Sequence, residues 1–517
     1  MLYPIGVQTF ETIRKRNYVY VDKTDLVYKL AQNHVCFLSR PRRFGKSLLI
    51  STLDAYFSGR KELFEGLKIE NFEKDWVEYP IFRIDFAGGD YTNADELKNK
   101  LSMYIANWEK KYGKDETRLN LSDRFQFVLE MAEKITGQKA VVLIDEYDKP
   151  MLDAIGTEFE EANRNTLKGF YGTFKAADAH LRFVLLTGVT KFSQISVFSG
   201  FNQPKDISMN SQFDAICGIT EAELNEYFAT PIEEMASKRH CTTVELKKLL
   251  KKQYDGYHFS EELLDIYNPF SIINAFDTKK ISDYWFASGT STYLVKLLEG
   301  HNINMQKLVS RAYDSSYFMN YRADVEDPLA MLYQSGYLTI KGYDEKRSTY
   351  KLDYPNEEVR KGFMCLMANS YFHIDAVDNQ NFILQLDDML REANLDGIRT
   401  AFTAFLSSIP YEANKDERAR DFETHFSYTF YIINRLLSCY TTLIEKQNSK
   451  GRADIIIETD KNIFIFEFKL NKSAAEALDQ IDQMQYALPY ANDKRKIYKI
   501  GVNISSQSRT VDDWIVA

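Results

Sequence analysis

The sequence predicts an α/β protein built from several domains: an N-terminal parallel sheet with helices on both faces, a helical and winged-helix-like middle, and a C-terminal α/β domain. Three observations lead to this prediction. The chain has 517 residues, which exceeds what a single hydrophobic core usually organises. Short apolar segments alternate with helical stretches up to residue 220. A second set of strand and helix patterns follows residue 412.

The composition is that of a globular protein, with 44% hydrophobic and 27% charged residues. The net charge of -9 argues against a protein that coats nucleic acid through its overall field, although a local basic cluster would still create one. The five cysteines are scattered and form no CxxC pair, which predicts reduced thiols and no zinc ribbon. Because neither a leader nor a membrane-length apolar run is visible, we expect a cytoplasmic protein that does not enter a membrane.

The N-terminal domain is predicted to span residues 1–220 and to contain four buried strands. The segments 34–39, 80–86, 139–145 and 181–187 are rich in β-branched or aromatic residues and are bounded by polar or turn residues. This pattern is typical of parallel strands in βαβ units, where helices cover both faces of the sheet.

The middle of the chain, residues 221–375, is predicted to be mostly helical. Thr220 and Glu223 have the spacing of a capping box that begins the first of these helices. Within 328–360 a helix leads into two strand-like pieces, an arrangement similar to a winged helix. Residues 376–412 are predicted to form a helical connector.

The C-terminal domain is predicted to span residues 413–517. Its pattern indicates a helix at 421–438, a hairpin at 452–469, a helix at 473–488 and a final strand at 496–503. The change from helices to strands makes this a second α/β unit, separate from the first.

The segment SRPRRFGKS, residues 39–47, ends like a phosphate-binding loop but has Arg40 at the position where the first glycine of the loop is expected. In such a loop the backbone N–H groups and a helix N-terminus converge on phosphate, the lysine adds charge, and the Ser or Thr hydroxyl ligates Mg²⁺. Gly45 allows the backbone to turn just before Lys46. Since a strand precedes this segment and a helical run follows Ser47, we expect a phosphate loop of modified shape.

A second motif supports the same site. The apolar run Val141–Ile144 leads into Asp145 and Glu146, so a buried strand delivers two carboxylates at its end. There Asp145 would hold Mg²⁺ through water and Glu146 would polarise the attacking water. A strand that simply ends in two solvated acids is the alternative. Thr187 ends the next strand, where it either senses the γ-phosphate or belongs to a simple Thr-Gly turn.

The sequence thus predicts one set of residues that contact the nucleotide and a smaller set that ligates magnesium. The candidate nucleotide contacts are Arg43, Phe44, Gly45, Lys46, Ser47, Leu48, Asp145 and Thr187. The candidate magnesium ligands among them are Ser47 and Asp145.

The segment GRADIIIETDKNIFIFEFK, residues 451–469, reads as a hairpin that carries a second acidic site. Glu467 and Lys469 are two residues apart, so both project from one face of the strand. A carboxylate within so apolar a strand is costly unless a cation compensates its charge. Asp454 and Glu467 would hold a divalent metal, and Lys469 would orient a water or stabilise a phosphate in the transition state.

Further candidates surround this hairpin. Glu423 lies at the edge of the apolar stripe of the preceding helix and would supply a third acid. Gln480 and Tyr486 would contact the metal site or a DNA backbone, with simple packing as the alternative. The basic residues of 494–499 would contact phosphates or form a solvated strand entrance. Taken singly, each of the acids is equally compatible with a surface charge.

With these residues identified, the chain resembles the AAA-ATPase-like proteins (P-loop, ASCE/STAND-like) that carry a C-terminal PD-(D/E)XK nuclease-superfamily domain. The resemblance covers nearly the whole length. The segments that carry it include YVDKTDLVYKL, SRPRRFGKS, VVLIDEYDKP, LLTGVTKFS, YDGYHF, GRADIII and FEFK. It implies that the arginine at the first P-loop glycine is a family trait.

The resemblance also implies site residues and folds. It implies an ASCE-type ATPase fold that uses Lys46, Ser47, Asp145 and Glu146. It further implies a restriction-endonuclease-like core, whose residues would be Asp454, Glu467 and Lys469, with Glu423 as an additional acid.

The expected function is therefore an ATP-binding and ATP-hydrolysing enzyme coupled to a Mg²⁺-dependent phosphodiesterase that acts on nucleic acid, with DNA favoured and Mn²⁺ as an alternative metal. Two other interpretations stay open at this point. One is a nucleotide-dependent switch whose nuclease-like domain only binds DNA or a partner. The other is a structural ATPase module with no role on nucleic acid, which the acidic net charge favours.

Overall fold

In the computed structural model, the described residues are 1–93, 95–192, 204–289, 308–309, 311–319, 328–372, 376–408, 433, 442–443, 447–448, 451–452, 455–508 and 510–517. They divide into two compact units, one that ends at Val359 and one that begins at Arg360. Two predicted site residues, Glu423 and Asp454, lie outside the described residues. Of the helix predicted at 421–438, only residue 433 is described.

The strands of the first unit form a five-stranded sheet, a three-stranded sheet and a two-stranded sheet. They are β1 (Val35–Ser39), β2 (Ile81–Asp85), β3 (Ala140–Asp145), β4 (Leu181–Gly188), β5 (Lys205–Asp206), β6 (Ile219–Thr220), β7 (Ile266–Tyr267), β8 (Ala312–Tyr313), β9 (Thr339–Asp344) and β10 (Thr349–Asp353). The strands of the second unit are β11 (Thr442–Leu443), β12 (Gln447–Asn448), β13 (Gly451–Arg452), β14 (Ile455–Glu458), β15 (Asn462–Leu470), β16 (Lys496–Ser505) and β17 (Thr510–Val516).

Helices surround both sheets. Those that begin in the first unit are α1 (Phe10–Lys15), α2 (Thr24–Ala31), α3 (Lys46–Phe57), α4 (Glu96–Tyr112), α5 (Leu121–Thr136), α6 (Lys149–Ala154), α7 (Glu160–Ala176), α8 (Glu221–Tyr227), α9 (Ala229–Lys238), α10 (Thr243–Tyr254), α11 (Pro269–Thr278), α12 (Tyr284–Gly289), α13 (Ser315–Met319), α14 (Leu329–Gln334) and α15 (Glu357–Phe372). Those of the second unit are α16 (Ala376–Glu392), α17 (Leu395–Ser408) and α18 (Ala474–Gln483).

The N-terminal sheet has the strand order β2-β3-β4-β1-β5, and every neighbouring pair is parallel. All six residues of β3 are buried, because helices cover both faces of the sheet. The predicted parallel sheet is therefore confirmed. Since β4 lies between β1 and β3, the loop after β1 and the acidic end of β3 are separated by the width of one strand.

The middle of the first unit is helical, as the sequence predicts. Thr220 accepts a hydrogen bond from the backbone N–H of Glu223, and the Glu223 carboxylate accepts one from the Thr220 N–H at 2.8 Å, so the predicted capping box is confirmed. Helices α8 to α11 then pack around one apolar core. After α14, strands β9 and β10 form an antiparallel hairpin that β8 extends, which agrees with the winged-helix-like expectation.

The YDGYHF segment joins the helical part to this hairpin. Gly256 has φ +91°, and a Cβ there would lie 2.5 Å from the Pro355 carbonyl oxygen. Lys341 donates to the carbonyls of Gly256 at 2.6 Å and Pro355 at 2.9 Å. His258 bonds through Nδ1 to the Ile340 carbonyl at 2.6 Å. The segment therefore belongs to the internal structure of the first unit.

The second unit contains a sheet of order β11-β14-β15-β16-β17. Strands β14 and β15 are antiparallel, and β15 and β16 are parallel with α18 as the crossover helix between them. The predicted hairpin, helix and strand are all present, and β17 is a further strand that the sequence did not indicate. Helix α17, predicted as part of a connector, contacts β17, and its Phe402 lies 6.5 Å from the Phe466 ring, so it is part of this unit.

Asp255 is a buried carboxyl whose ionisation should oppose folding. It is 1% exposed, and burial raises its pKa from 3.8 to about 7. As the pH rises, the Asp255 carboxyl ionises at a lower pH in the unfolded chain than in the folded protein. The group therefore destabilises the fold increasingly between about pH 4 and pH 7, and by a constant amount above about pH 7. We expect Asp255→Asn to gain stability relative to the wild type across this range, by about 1–4 kcal/mol at about 1.4 kcal/mol per pKa unit.

Urea unfolding of both proteins at pH 5 and pH 8 measures this difference. A stability difference that stays constant between the two pH values would contradict the assignment, because only a titrating group makes it change. Asp277→Asn, an exposed aspartate in the same helical region, serves as the matched control.

Candidate functional site

The loop between β1 and α3 has the backbone of an anion-binding turn. Gly45 has φ +95° and Arg43 has φ +66°, both in the left-handed region. Helix α3 begins at Lys46 immediately afterwards, and no side chain caps its N-terminus. The first N–H groups of a helix have no partner within the helix. The loop therefore presents N–H donors and the positive end of a helix dipole to a ligand.

Lys46 is folded back onto this loop. Its side chain is buried, and its Nζ donates to the carbonyl of Arg40 at 2.8 Å and to that of Pro41 at 3.0 Å. Burial lowers the pKa of Lys46, while the nearby carboxylate of Asp145 acts in the opposite direction. The ammonium thus lies at the loop, within the electrostatic influence of the acidic end of β3.

Asp145 and Thr187 meet at the ends of two adjacent strands. Asp145 is 1% exposed, and its Oδ1 accepts hydrogen bonds from Thr187 Oγ1 at 2.8 Å and from the Glu146 N–H at 3.1 Å. Thr187 is paired across the sheet with Leu38 near the end of β1. The contact between Asp145 and Thr187 is a result of the fold that the sequence did not indicate. It fixes the orientation of the carboxylate.

Glu146 directly follows β3 and adopts φ +52°, a left-handed conformation that non-glycine residues rarely take. Burial raises its pKa, and the charge of Asp145 raises it further. Backbone strain and a raised carboxyl pKa are typical of functional positions. The Glu146 carboxyl therefore binds a proton more readily than a solvated glutamate does.

Asp148 is a fourth charged residue of this region, and the sequence analysis missed it. It is 2% exposed, and its Oδ2 accepts hydrogen bonds from the N–H of Val189 at 2.9 Å and from the N–H and hydroxyl of Thr190 at 2.6 and 2.8 Å. A Cβ on Gly188 would lie 2.6 Å from its Oδ1. Asp148 thus fixes the turn after β4, and the only sequence signal was a third acid in VVLIDEYDKP.

The second candidate site lies on β15, whose alternate residues face different neighbours. Ile463 and Ile465 pack with Ile481 of α18 in one core cluster, whereas Phe466 lies 6.0 Å from the ring of Trp514. Glu467 has the same parity as the two isoleucines and therefore projects to the α18 side. This alternation places a carboxylate at the border of an apolar core.

Glu467, Lys469 and Gln480 form a polar group beside that core. Glu467 is 2% exposed, and Lys469 Nζ lies 3.2 Å from its Oε1. The same ammonium donates to the Gln480 side-chain oxygen on α18. Gly501 of β16 pairs with Glu467, and a Cβ there would lie 2.2 Å from the Ala474 carbonyl. A residue without a side chain at this position therefore lets α18 approach the site.

The structure brings together two of the four residues predicted for this second site, Glu467 and Lys469. Ile455, the first described residue after Asp454, pairs with Phe466 of β15. Across the described residues, no three His, Cys, Asp or Glu side chains are grouped so as to hold a metal ion.

Comparisons with known proteins identify the type of each of the two domains. A family model described as "Predicted AAA-ATPase" matches residues 4–198, and one for the PD-(D/E)XK nuclease superfamily matches residues 421–514. A relative from Azotobacter chroococcum mcd 1, named "Uncharacterized protein in vnfD 5'region", is 34% identical over 522 residues. That alignment covers 99% of this chain and 98% of the relative.

The chain belongs to the AAA-ATPase-like proteins with a C-terminal PD-(D/E)XK nuclease-superfamily domain. The resemblance noted from the motifs is thereby confirmed, and the chain combines a nucleotide-binding type of domain with a nuclease-like one. Throughout the described ranges, no helix is both long and apolar enough to cross a lipid bilayer.

In the AAA-ATPase-like domain, Arg40 explains the unusual start of the phosphate loop. Its side chain is buried, and its guanidinium donates to the carbonyls of Ser208 at 2.7 Å and Phe213 at 3.2 Å. It also lies 3.9 Å from the centre of the Phe259 ring, a cation–π distance. The arginine therefore ties the loop to two later segments of the unit, where a glycine would make no side-chain contact.

An apolar cavity borders the phosphate loop on its α3 side. It is lined by Phe44, Gly45 and Leu48 of the loop region, together with residues of the N-terminal segment and of 216–219. Lys23, from the YVDKTDL motif, contributes the charged group of this lining and pairs with Glu223. Of the predicted contacts, Phe44 and Leu48 therefore face the cavity, whereas the Arg43 guanidinium lies 4.9 Å from the Phe270 ring.

In the PD-(D/E)XK domain, two of the basic residues of 494–499 lie in ion pairs, and their expected contacts with phosphates stay a prediction. Arg495 is bonded to Glu458 at 2.7 Å, and Lys499 to Asp482 at 2.6 Å. The segment begins β16 beside Asn462, five residues from Glu467 along β15. At about 3.3 Å per residue, Lys496 is therefore about 16 Å from Glu467, whereas Lys499 pairs with Ile465, two residues from Glu467. Of the other two candidates, Tyr486 packs in the core and Gln480 contacts Lys469.

We expect Arg40→Gly, which restores the usual first glycine, to destabilise the first unit. The substitution leaves the buried carbonyls of Ser208 and Phe213 without their donor, at a cost of about 1–3 kcal/mol each. The free energy of unfolding should fall by at least about 2 kcal/mol in chemical denaturation. Arg42→Gly is the matched control, since Arg42 is an exposed arginine of the same loop. Equal stability of the two variants would show that Arg40 is dispensable.

Proposed function

We propose that this protein binds and hydrolyses ATP in its AAA-ATPase-like domain and cleaves nucleic acid, with DNA as the favoured substrate, in its PD-(D/E)XK domain. We further propose that the nucleotide regulates the cleavage. The observation that carries the proposal is the arrangement of Lys46, Asp145 and Thr187 at one edge of the parallel sheet. In an α/β sheet this edge, at the carboxyl ends of the strands, is where ligands bind.

The phosphate loop accounts for binding of the triphosphate. The N–H groups at the start of α3 would donate to the phosphate oxygens, and Lys46 would exchange its two carbonyl acceptors for phosphate. Each exchange replaces a neutral acceptor by an anion, which gives a stronger, charge-assisted hydrogen bond. The cavity next to Gly45 would take the base, because apolar walls with few polar groups are typical of such pockets.

The donor set beside the loop fits Mg²⁺, which prefers oxygen ligands from carboxylates, hydroxyls and water. Ser47 and Asp145 would hold the ion, and Thr187 keeps the Asp145 carboxylate oriented through its 2.8 Å hydrogen bond. When bound, the ion would neutralise charge on the phosphates. Glu146, whose pKa is raised by burial, would hold the attacking water in place and accept its proton.

The Glu467 group supports the nuclease half of the proposal. A carboxylate that is 2% exposed needs a cation, and Lys469 at 3.2 Å supplies one. We propose that Asp454 joins Glu467 in holding Mg²⁺ or Mn²⁺, and that Glu423 adds a third acid. Lys469, held by Gln480, would orient the attacking water and stabilise charge on the phosphate. The metal would supply Lewis-acid stabilisation of that phosphate when bound.

Lys46→Ala tests the nucleotide site. Because the ammonium contributes a charge-assisted contact, we expect ATP affinity to fall by at least about tenfold. Isothermal titration calorimetry measures this, with Lys61→Ala, an exposed lysine of the same unit, as the control. Glu146→Gln should keep ATP affinity and lose most hydrolysis. Full hydrolysis by Lys46→Ala would refute the loop assignment.

Glu467→Gln tests the nuclease site. The substitution keeps the shape of the side chain and removes the charge that the metal requires, so Mg²⁺-dependent cleavage should fall by at least about a hundredfold. A gel assay on single-stranded, duplex and branched DNA and RNA reports the loss, with Glu476→Gln, exposed on α18, as the control. If neither the wild type nor the variant cleaves and both retain DNA, the domain is a binding module.

A further inference from the structure

The phosphate loop is bonded to the helical part of the first unit through its backbone. The indole N–H of Trp285 donates to the carbonyl of Arg42 at 2.9 Å. Trp285 is 2% exposed and lies on the short helix α12. Arg42 is the residue that follows Pro41, one of the two carbonyl acceptors of Lys46. The indole therefore holds the peptide next to the one that Lys46 engages.

Trp285 is in turn bonded to the first turn of α15. Its backbone N–H donates to Glu358 Oε1 at 2.6 Å, and Ser271 of α11 donates to Glu358 Oε2 at 2.7 Å. Glu358 is 1% exposed, and burial raises its pKa to about 7. A buried carboxyl whose two oxygens are held by two other helices is a fixed junction. It connects α11, α12 and α15.

Pro41 and Phe44, which lie on either side of Arg42 in the loop, also contact later residues of the first unit. The Phe44 ring lies 4.8 Å from the Tyr257 ring. A Cβ on Gly336, at the end of α14, would lie 2.7 Å from Pro41. A shift of the loop therefore requires a shift of the helices that hold it, because packed interiors do not deform freely.

We propose that Trp285 and Glu358 are positioning residues that couple the state of the phosphate loop to α15. This rests on the proposed function, since it concerns the regulation of the same nucleotide site. Helix α15 runs from Glu357 to Phe372, and the boundary between the two units falls after Val359. Glu358 thus lies at the point where the chain leaves the ATPase unit for the one that carries Glu467.

The coupling follows from competition between the loop carbonyls and phosphate for the Lys46 ammonium. Its ammonium donates to the carbonyls of Arg40 and Pro41. Phosphate, as the stronger acceptor, releases both carbonyls and changes the balance of forces on the Arg42 peptide. A ligand shifts a conformational equilibrium only through a difference in its interactions with the two states. The exchange of acceptors by Lys46 supplies that difference, and the hydrogen bonds of Trp285 to Arg42 and Glu358 connect the loop to α15.

Trp285→Phe in the full chain tests the coupling, because it keeps an aromatic side chain and removes the pyrrole part of the indole with its N–H. One lost hydrogen bond corresponds to roughly a three- to tenfold lower ATP affinity. The ratio of DNA cleavage with and without ATP should move toward one. Trp108→Phe, a tryptophan of α4 that packs on Phe125 5.3 Å away, is the matched control.

Substitutions of the junction separate positioning from simple packing. Glu358→Gln keeps an acceptor for the Trp285 N–H and should retain ATP affinity within about threefold of the wild type, whereas Glu358→Leu should reproduce the loss seen for Trp285→Phe. If either Glu358 variant does not fold, Ser271→Ala replaces it, because this substitution removes only the hydrogen bond to Oε2 of Glu358. It should weaken ATP binding by about twofold to fivefold.

The outcomes distinguish this inference from the proposed function. If wild-type protein binds ATP and cleaves DNA, and Trp285→Phe and Glu358→Leu match it in affinity and in the cleavage ratio, the coupling is refuted and the proposed function stands. If the wild type neither binds ATP nor responds to it, both are refuted. Loss of affinity in Trp285→Phe and Glu358→Leu, with recovery in Glu358→Gln, supports the coupling.

Discussion

Buried charge at the edge of the N-terminal sheet sets the main constraint on the structure around the phosphate loop. One ammonium, Lys46, lies close to the carboxylates of Asp145, Glu146 and Asp148, all removed from bulk water to different degrees. Such a group is stable only if each charge is hydrogen-bonded, because desolvation is costly. The fold meets this requirement with its own groups: loop carbonyls accept from Lys46, and threonines of the β4 end donate to Asp145 and Asp148.

The same requirement explains why the phosphate loop is attached so firmly to the middle of the unit. A loop that begins with Arg40 needs acceptors for a buried guanidinium, and the carbonyls of Ser208 and Phe213 provide them. The helical region then contacts the loop at Pro41, Arg42 and Phe44 through residues far away in sequence. Nucleotide site and helical region therefore form one packed structure, consistent with the proposed use of the nucleotide as a regulator.

Much of the fold was predictable from sequence, because its signals are local. The strand VVLIDE, the Gly-Lys-Ser turn and the Thr220 capping box each depend on residues within a few positions of one another. The alternation in β15 likewise placed Glu467 and Lys469 on one face. What escaped prediction depends on distant contacts: the acceptors of Arg40, the bond between Thr187 and Asp145, and the turn held by Asp148. The neutralisation of Arg495 by Glu458 belongs to the same class, since no local pattern identifies the partner.

Gly501 shows that the alignment of the Glu467 group depends on a residue outside that group. It carries no reactive group, yet the start of α18 lies so close to it that a single methyl would meet the Ala474 backbone. A homologue with alanine at this position would retain the glutamate, the lysine and the glutamine while losing their mutual alignment. Inspection of these three side chains alone would miss that change, so the spacing between helix and strand is the feature to examine.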